Sequence, residues 1–159
     1  MQHHNTILFL HGLESAPGGT KPSFLAECGY KVLNPALPKR SFWESVQLVQ
    51  EIVDREKPSV IVGSSRGGAV ALCVRTEAKL VLIAPAWKRY ARASSRRTPS
   101  SAVIIHSKND KVISFKDSES LAASSGATLI AAGASHRMGD QKALLAMAAA
   151  VKEASNENR

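Results

Sequence analysis

Short apolar strands alternating with helices predict an α/β fold, a three-layer sandwich on a mostly parallel six-stranded sheet. Three observations carry that expectation. Runs such as Val60-Ile61-Val62 and Ala102-Val103-Ile104-Ile105 are apolar without alternation, as strands covered on both faces must be. Helical stretches separate them, so each strand can return parallel to the last through a right-handed crossover. The 159 residues fit one domain, expected to span 1–159 with its core at about 6–153.

In order, strands are expected near 6–10, 31–35, 59–63, 79–84, 102–106 and 127–131. Helices are expected near 20–28, 41–56, 66–76, 115–124 and 138–153. Ser41 suits an N-cap, with Glu44 three residues on completing a capping-box pattern. Pro58 and Gly126 punctuate helix-to-strand joins. Only Ser155 to Arg159 is expected to fray. Hydrophobic residues make up 44 % with few aromatics, so the core should be Val, Ile, Leu and Ala. The longest apolar helical stretch, Ala143 to Val151, is too short to span a bilayer. Met1-Gln2-His3-His4-Asn5 lacks the basic start and apolar centre of a secretory leader, so a cytoplasmic location is expected.

Chemistry enters at Val60-Ile61-Val62-Gly63-Ser64-Ser65-Arg66-Gly67-Gly68, where a β-branched run meets Gly-x-Ser-x-Gly and a small-residue helix follows. A strand, a tight turn and a helix in that order make a nucleophile elbow. Side chains at Gly63 and Gly67 would collide with neighbouring backbone, and the apical serine is held strained with its hydroxyl exposed. Only Ser65 fits the frame; Ser64 would have Val62 and Arg66 where the glycines belong.

A nucleophilic serine needs a base and an orienting acid. Asp110 lies in the loop Ser107-Lys108-Asn109-Asp110 past one late strand, and His136 follows the next in Gly133-Ala134-Ser135-His136. The candidate catalytic set is therefore Ser65, Asp110 and His136, in the serine–acid–histidine order of hydrolases of the α/β type. Asp117 and Asp140 compete for the acid, the first expected on a helix leaving the site, the second in the helix after His136.

These motifs, with Leu8-Phe9-Leu10-His11-Gly12-Leu13-Glu14-Ser15-Ala16-Pro17, Asn34-Pro35-Ala36-Leu37-Pro38 and Ala84-Pro85-Ala86, resemble a minimal α/β-hydrolase. The likeness is greatest to the small cap-less bacterial esterases of the YqiA-like group, from about Thr6 to about Ala150. It implies strand order 2-1-3-4-5-6 and an oxyanion hole from the backbone N–H groups of Leu13 and Arg66. It also implies an open site, because Pro85 to Ser101 is too short for the cap that larger relatives insert there. The chain departs from the family at Arg66, usually a neutral residue, and at Ser107, where many relatives have glycine.

Net charge is +8, with Lys88, Arg89, Arg92, Arg96 and Arg97 grouped and no acid among them. Three readings stand: a solvated loop, a basic rim drawing anionic substrates, or a nucleic-acid surface. Against the last, only Trp87 and Tyr90 are available for stacking and no nucleic-acid motif accompanies the patch. His11, Arg66 and Trp87 are candidate substrate contacts. His3 and His4 read as a mobile terminus, and His106 as a structural histidine ending a buried strand. Neither metal-ligand spacing nor a dinucleotide or Walker loop is present, so no metal or cofactor is expected. Cys28 and Cys73 read as reduced packing residues, with a Cys28–Cys73 bridge as the rival. The expected function is hydrolysis of a small acyl ester or thioester, neutral or anionic; the alternative is a non-catalytic binding or scaffold protein on the same fold.

Overall fold

A computed structural model describes residues 5–92 and 95–156, so His3 and His4 lie outside the described residues, as do 157–159. In chain order the elements are β1 (Thr6–Leu10), α1 (Thr20–Glu27), β2 (Lys31–Leu33), α2 (Phe42–Glu56), β3 (Val60–Ser64) and α3 (Arg66–Cys73). Then follow β4 (Lys79–Ile83), α4 (Trp87–Tyr90), β5 (Val103–His106), α5 (Phe115–Ser125), β6 (Thr128–Ala131) and α6 (Gln141–Asn156). All pairings are parallel and the order is β2-β1-β3-β4-β5-β6, as the sequence led one to expect.

Side chains two apart on a strand share a face, and the core divides accordingly. Leu8, Leu10, Ile61, Leu82 and Ile104 pack beneath α2, α3 and α5. Ile7, Phe9, Val62, Ile83 and Ile105 pack against α1 and α6 on the other face. That division separates the cysteines. Cys73 packs with the first cluster, whereas Cys28 caps α1, whose Leu25 belongs to the second. The sheet stands between them, and both are free thiols. Cys28 is exposed rather than packed, while burial pushes the Cys73 thiol up to about 11.

Several boundaries differ from the sequence expectation because side chains end elements early. β2 stops at Leu33, where the Asn34 amide donates to the Phe9 carbonyl at 3.0 Å in place of a backbone ladder bond, and Pro35 has no N–H to continue it. α3 stops at Cys73 because Gln50 of α2 clamps both backbone groups of Arg75, at 2.8 and 2.9 Å. α6 starts at Gln141 rather than 138: Met138 is left-handed (φ 53°), and the Asp140 carboxylate accepts the Ala143 N–H. Asp140 thus caps α6 instead of lying within it. At the other end α6 continues to Asn156 with Ser155 buried, so Ser155 and Asn156 are not frayed. The short α4 is an element the pattern did not indicate. Ser41 does cap α2, its hydroxyl accepting the Glu44 N–H at 3.2 Å.

Candidate active site

The turn between β3 and α3 is set by backbone contact. A Cβ on Gly63 would come within 2.5 Å of the Gly67 carbonyl oxygen, and one on Gly67 would strike the Leu10 carbonyl. With both glycines bare, the chain reverses in one residue and Ser65 takes φ 54°, ψ −115°. Such a conformation costs a non-glycine residue about 1–3 kcal/mol, so its surroundings must hold it. They do: the Ser65 N–H donates to Ile83 at 2.8 Å, and its carbonyl accepts from Gly68 and Ala86, each at 3.0 Å.

The loops after β5 and β6 bring the other candidates to this serine. Ser65 donates its hydroxyl proton to His136 Nε2 at 3.1 Å, and His136 Nδ1–H donates to Asp110 Oδ2 at 2.6 Å. The three residues singled out in the sequence therefore form one hydrogen-bond chain. The Asp110 carboxylate is fully buried. Burial pushes its pKa up, but the His136 hydrogen bond and the Ile113 and Val112 N–H groups outweigh this and leave it below the usual carboxylate value. Both amides sit 2.8 Å from Oδ1.

The rival acids are placed elsewhere. Asp117 opens α5 and pairs with Lys88 at 2.8 Å. Asp140 accepts the Ala134 N–H at 2.9 Å, holding the His136 loop rather than its imidazole. Lys21 of α1 pins that loop too, through the Arg137 carbonyl at 2.7 Å.

Two residues gain roles that the sequence alone did not disclose. Ser107 donates to the Gly133 carbonyl at 2.8 Å and so ties the acid loop to the histidine loop. His106, fully buried, lies 2.9 Å from Asp110 Oδ2. A four-residue spacing between a strand-end histidine and the acid is the one signal that could have found it.

The His11-Gly12-Leu13 turn lies against Ser65: a Cβ on Gly12 would sit 3.5 Å from that of Ser65. Among the described residues neither the Leu13 nor the Arg66 backbone N–H has a protein acceptor, which leaves both for a ligand oxygen.

All three candidate substrate contacts are corrected by their partners. His11 Nδ1–H donates to the Gly12 carbonyl at 2.7 Å and Nε2 accepts the Leu37 N–H at 3.0 Å, so the ring braces the loop and has no nitrogen left for substrate. The Arg66 guanidinium is engaged by protein: it donates to the Pro38 and Ser41 carbonyls at 2.9 and 3.1 Å and lies 5.7 Å from the centroid of each ring of the stacked Phe42–Tyr90 pair. Trp87 is a core residue whose indole N–H donates to the Asp117 carbonyl at 2.9 Å.

The basic segment likewise divides. Lys88 and Arg89 line a cleft of about 260 Å³ with Ala86, Val112, Ile113 and Asp117. Arg96 instead stacks on Trp87 at 4.4 Å, and the Arg97 backbone is tied to Leu72 at the end of α3. Arg92, Arg96 and Arg97 are thus no part of the cleft lining.

Among the described residues no group of His, Cys, Asp and Glu is placed to hold a metal, and no helix is long and apolar enough to cross a membrane. No family model and no curated protein sequence matches the chain. Solved structures do. A protein of the alpha/beta hydrolase superfamily from Xanthomonas campestris superposes with TM-score 0.79 at 22 % identity, covering 96 % of this chain and 99 % of the other. A lid-less a/b serine hydrolase from the same species gives 0.69 at 19 %, covering 96 % and 81 %. An esterase domain from Rhodothermus marinus gives 0.70 at 15 %, covering 98 % and 88 %. These likenesses reach the fold and not the narrower esterase group. With the sheet order and the short β4–β5 connection, they establish that the chain has the α/β-hydrolase fold in its small, cap-less form.

Proposed function

We propose that this chain is a serine hydrolase that cleaves carboxylic ester or thioester bonds of small acyl substrates through an acyl-enzyme on Ser65. One observation carries the reading: an unbroken hydrogen-bond chain runs from a strained serine at an elbow, through His136, to a buried carboxylate. A serine hydroxyl is a weak nucleophile until a base takes its proton, and the carboxylate fixes the tautomer and stabilises the imidazolium. Ser65 Oγ attacks the carbonyl carbon as its proton passes to His136 Nε2. The oxyanion forms against the unpartnered Leu13 and Arg66 amides; losing one such donor typically costs about 10²–10³ in rate. His136 then protonates the departing alkoxide or thiolate as its bond to carbon breaks. Water, giving a proton to His136, attacks the acyl carbon; as the bond to Ser65 Oγ breaks, His136 returns that proton to Oγ and the acid leaves.

The lidless mouth favours substrates with an anionic group on the α4 side. Lys88 is neutralised by Asp117, so Arg89 supplies the cleft charge that has no ion-pair partner among the described residues. Replacing Arg89 by Gln should lower kcat/KM for a carboxylate-bearing ester at low salt and leave a neutral ester unchanged. The difference should fade with salt, as the Debye length falls from about 30 Å at 0.01 M to about 8 Å at 0.15 M. Equal effects on both substrates would return the segment to a solvated loop.

A fluorophosphonate tests the main reading. Mass spectrometry should find the adduct on Ser65, and Ser65→Ala should abolish labelling and turnover of an ester and acyl-CoA panel. A folded protein that neither labels nor turns over would be a binding or scaffold protein on a hydrolase fold.

A further inference from the structure

We propose that His106 is a positioning residue for the acid: its Nε2–H, anchored in β5, sets the orientation and charge of the Asp110 carboxylate. The inference rests on the serine-hydrolase reading above.

The argument begins with lone pairs. An ionised carboxylate has about four acceptor sites. Asp110 Oδ1 accepts from the Val112 and Ile113 N–H groups, and Oδ2 from His136 Nδ1 and, at 2.9 Å, from His106 Nε2. Every site is filled, so the carboxylate cannot turn about its own axis without breaking a bond. Since a carboxylate only accepts, Nε2 of His106 must carry the proton. Ser118 of α5 accommodates that tautomer, its hydroxyl 2.6 Å from Nδ1 being able to donate there. The same Nε2–H reaches the Ile113 carbonyl at 3.1 Å, and the ring packs edge-on against Phe115 with centroids 5.6 Å apart. A hydrogen-bond series therefore runs Ser118, His106, Asp110, His136, Ser65.

Anchorage differs along it. Asp110 and His136 stand on loops, whereas His106 belongs to a strand paired on both sides. His106 is thus the member through which the sheet holds the acid.

Loss of the donor has an electronic consequence. Without the His106 N–H, negative charge concentrates on the Oδ2 that faces His136, and the imidazolium is held more firmly. The inactive, protonated His136 then persists to higher pH. Other groups around His136 stay constant in the test: Arg137 and Asp140 on its own loop, Lys21 from α1 and Ser65 from the β3–α3 turn.

The rate of fluorophosphonate labelling at Ser65 as a function of pH reads this out without a known substrate. His106→Gln keeps an N–H near the Nε2 position and should reproduce the wild-type profile. His106→Phe removes the donor, and His106→Asn is too short to reach Asp110 while still facing Ser118. Both should label about 10–100-fold more slowly at the plateau, with the acid limb moved up by about half to one pH unit. Should the Phe variant not fold, the Gln and Asn pair decides. In the unaltered protein, nitrogen-15 NMR of the imidazole should find His106 protonated on Nε2 and not on Nδ1.

Wild-type behaviour in folded Phe or Asn variants overturns the inference. So does slower labelling with an unmoved acid limb, which marks a merely structural residue, a Gln variant behaving like Phe, or the opposite tautomer. A wild-type protein that does not label at Ser65 removes the serine-hydrolase reading itself, and this inference with it.

Discussion

Ser65 is held in place by backbone, through two glycines that cannot carry a Cβ and a carbonyl that accepts from Gly68 and Ala86. Asp110 and His136, on the loops after β5 and β6, rely in addition on side chains: beside the Val112 and Ile113 amides at Asp110 Oδ1 stand His106, Ser107, Asp140 and Lys21. Ser65, the proposed nucleophile, is the strained partner and needs a rigid seat, which close packing of bare backbone supplies. The acid and base instead need their hydrogen bonds aimed, and a polar side chain from a neighbouring element does that. The struts around Arg66 lie between these modes. One guanidinium spans the nucleophile's helix and the β2–α2 loop, holding two carbonyls at the start of α2.

If the two sides act as a single unit in the reaction, Ser65→Ala and His136→Ala should each remove at least about 10³ of kcat on an activated ester. The double variant should be little worse than either; additive losses would mean that the halves work separately. Loss in Ser64→Ala but not in Ser65→Ala would move the nucleophile.

Asp110→Asn should follow, with kcat down by about 10²–10⁴ and the protein still folded, because one amide oxygen cannot accept both from the imidazoles at Oδ2 and from the Val112 and Ile113 N–H groups at Oδ1. It should also change the acid side of the stability curve. The folded-state pKa of Asp110 is lowered, so the carboxylate contributes stability above the usual carboxylate value and loses it as pH falls through its folded value. Comparing denaturant midpoints against pH should find that acid loss smaller in the Asn variant. An identical slope in both proteins would place the linkage in other carboxylates.

On the nucleophile's side, Arg66→Met should destabilise by about 1–3 kcal/mol in a denaturant titration, since it removes two charge-assisted hydrogen bonds and leaves the Pro38 and Ser41 carbonyls to Ser45 alone. Arg66→Lys should recover little, because the shorter side chain stops its ammonium short of the point where Arg66 Nη2 meets both carbonyls. Full recovery by Lys would reduce Arg66 to a point charge.

The smallest effect should come from Ser107→Ala, about 0.5–1.5 kcal/mol of stability and a few-fold in kcat, from one lost tie between the acid and base loops. No change in kcat would mean that Asp140 and Lys21 suffice to hold the histidine loop.

What could be read from the chain divides along the same line. The strand–helix alternation, the elbow and the order Ser65, Asp110, His136 were legible because each depends on residues adjacent in sequence. Apolar runs demand two-sided burial, and Gly63 and Gly67 flank the serine whose geometry they permit. The hydrogen-bond partners were not legible. Arg66 looked like a charge beside the nucleophile, and only the packing of α2 and α4 over α3 gives its guanidinium two carbonyls and two rings. Trp87 and Arg96 looked like parts of an open rim until the core and the indole face claimed them. His106 looked like an ordinary buried histidine. Pairing β5 with β6 so that His106 stands opposite Ala131 brings the two following loops together. Strand order and register set such meetings between residues distant in the chain, whereas local sterics act within a single turn.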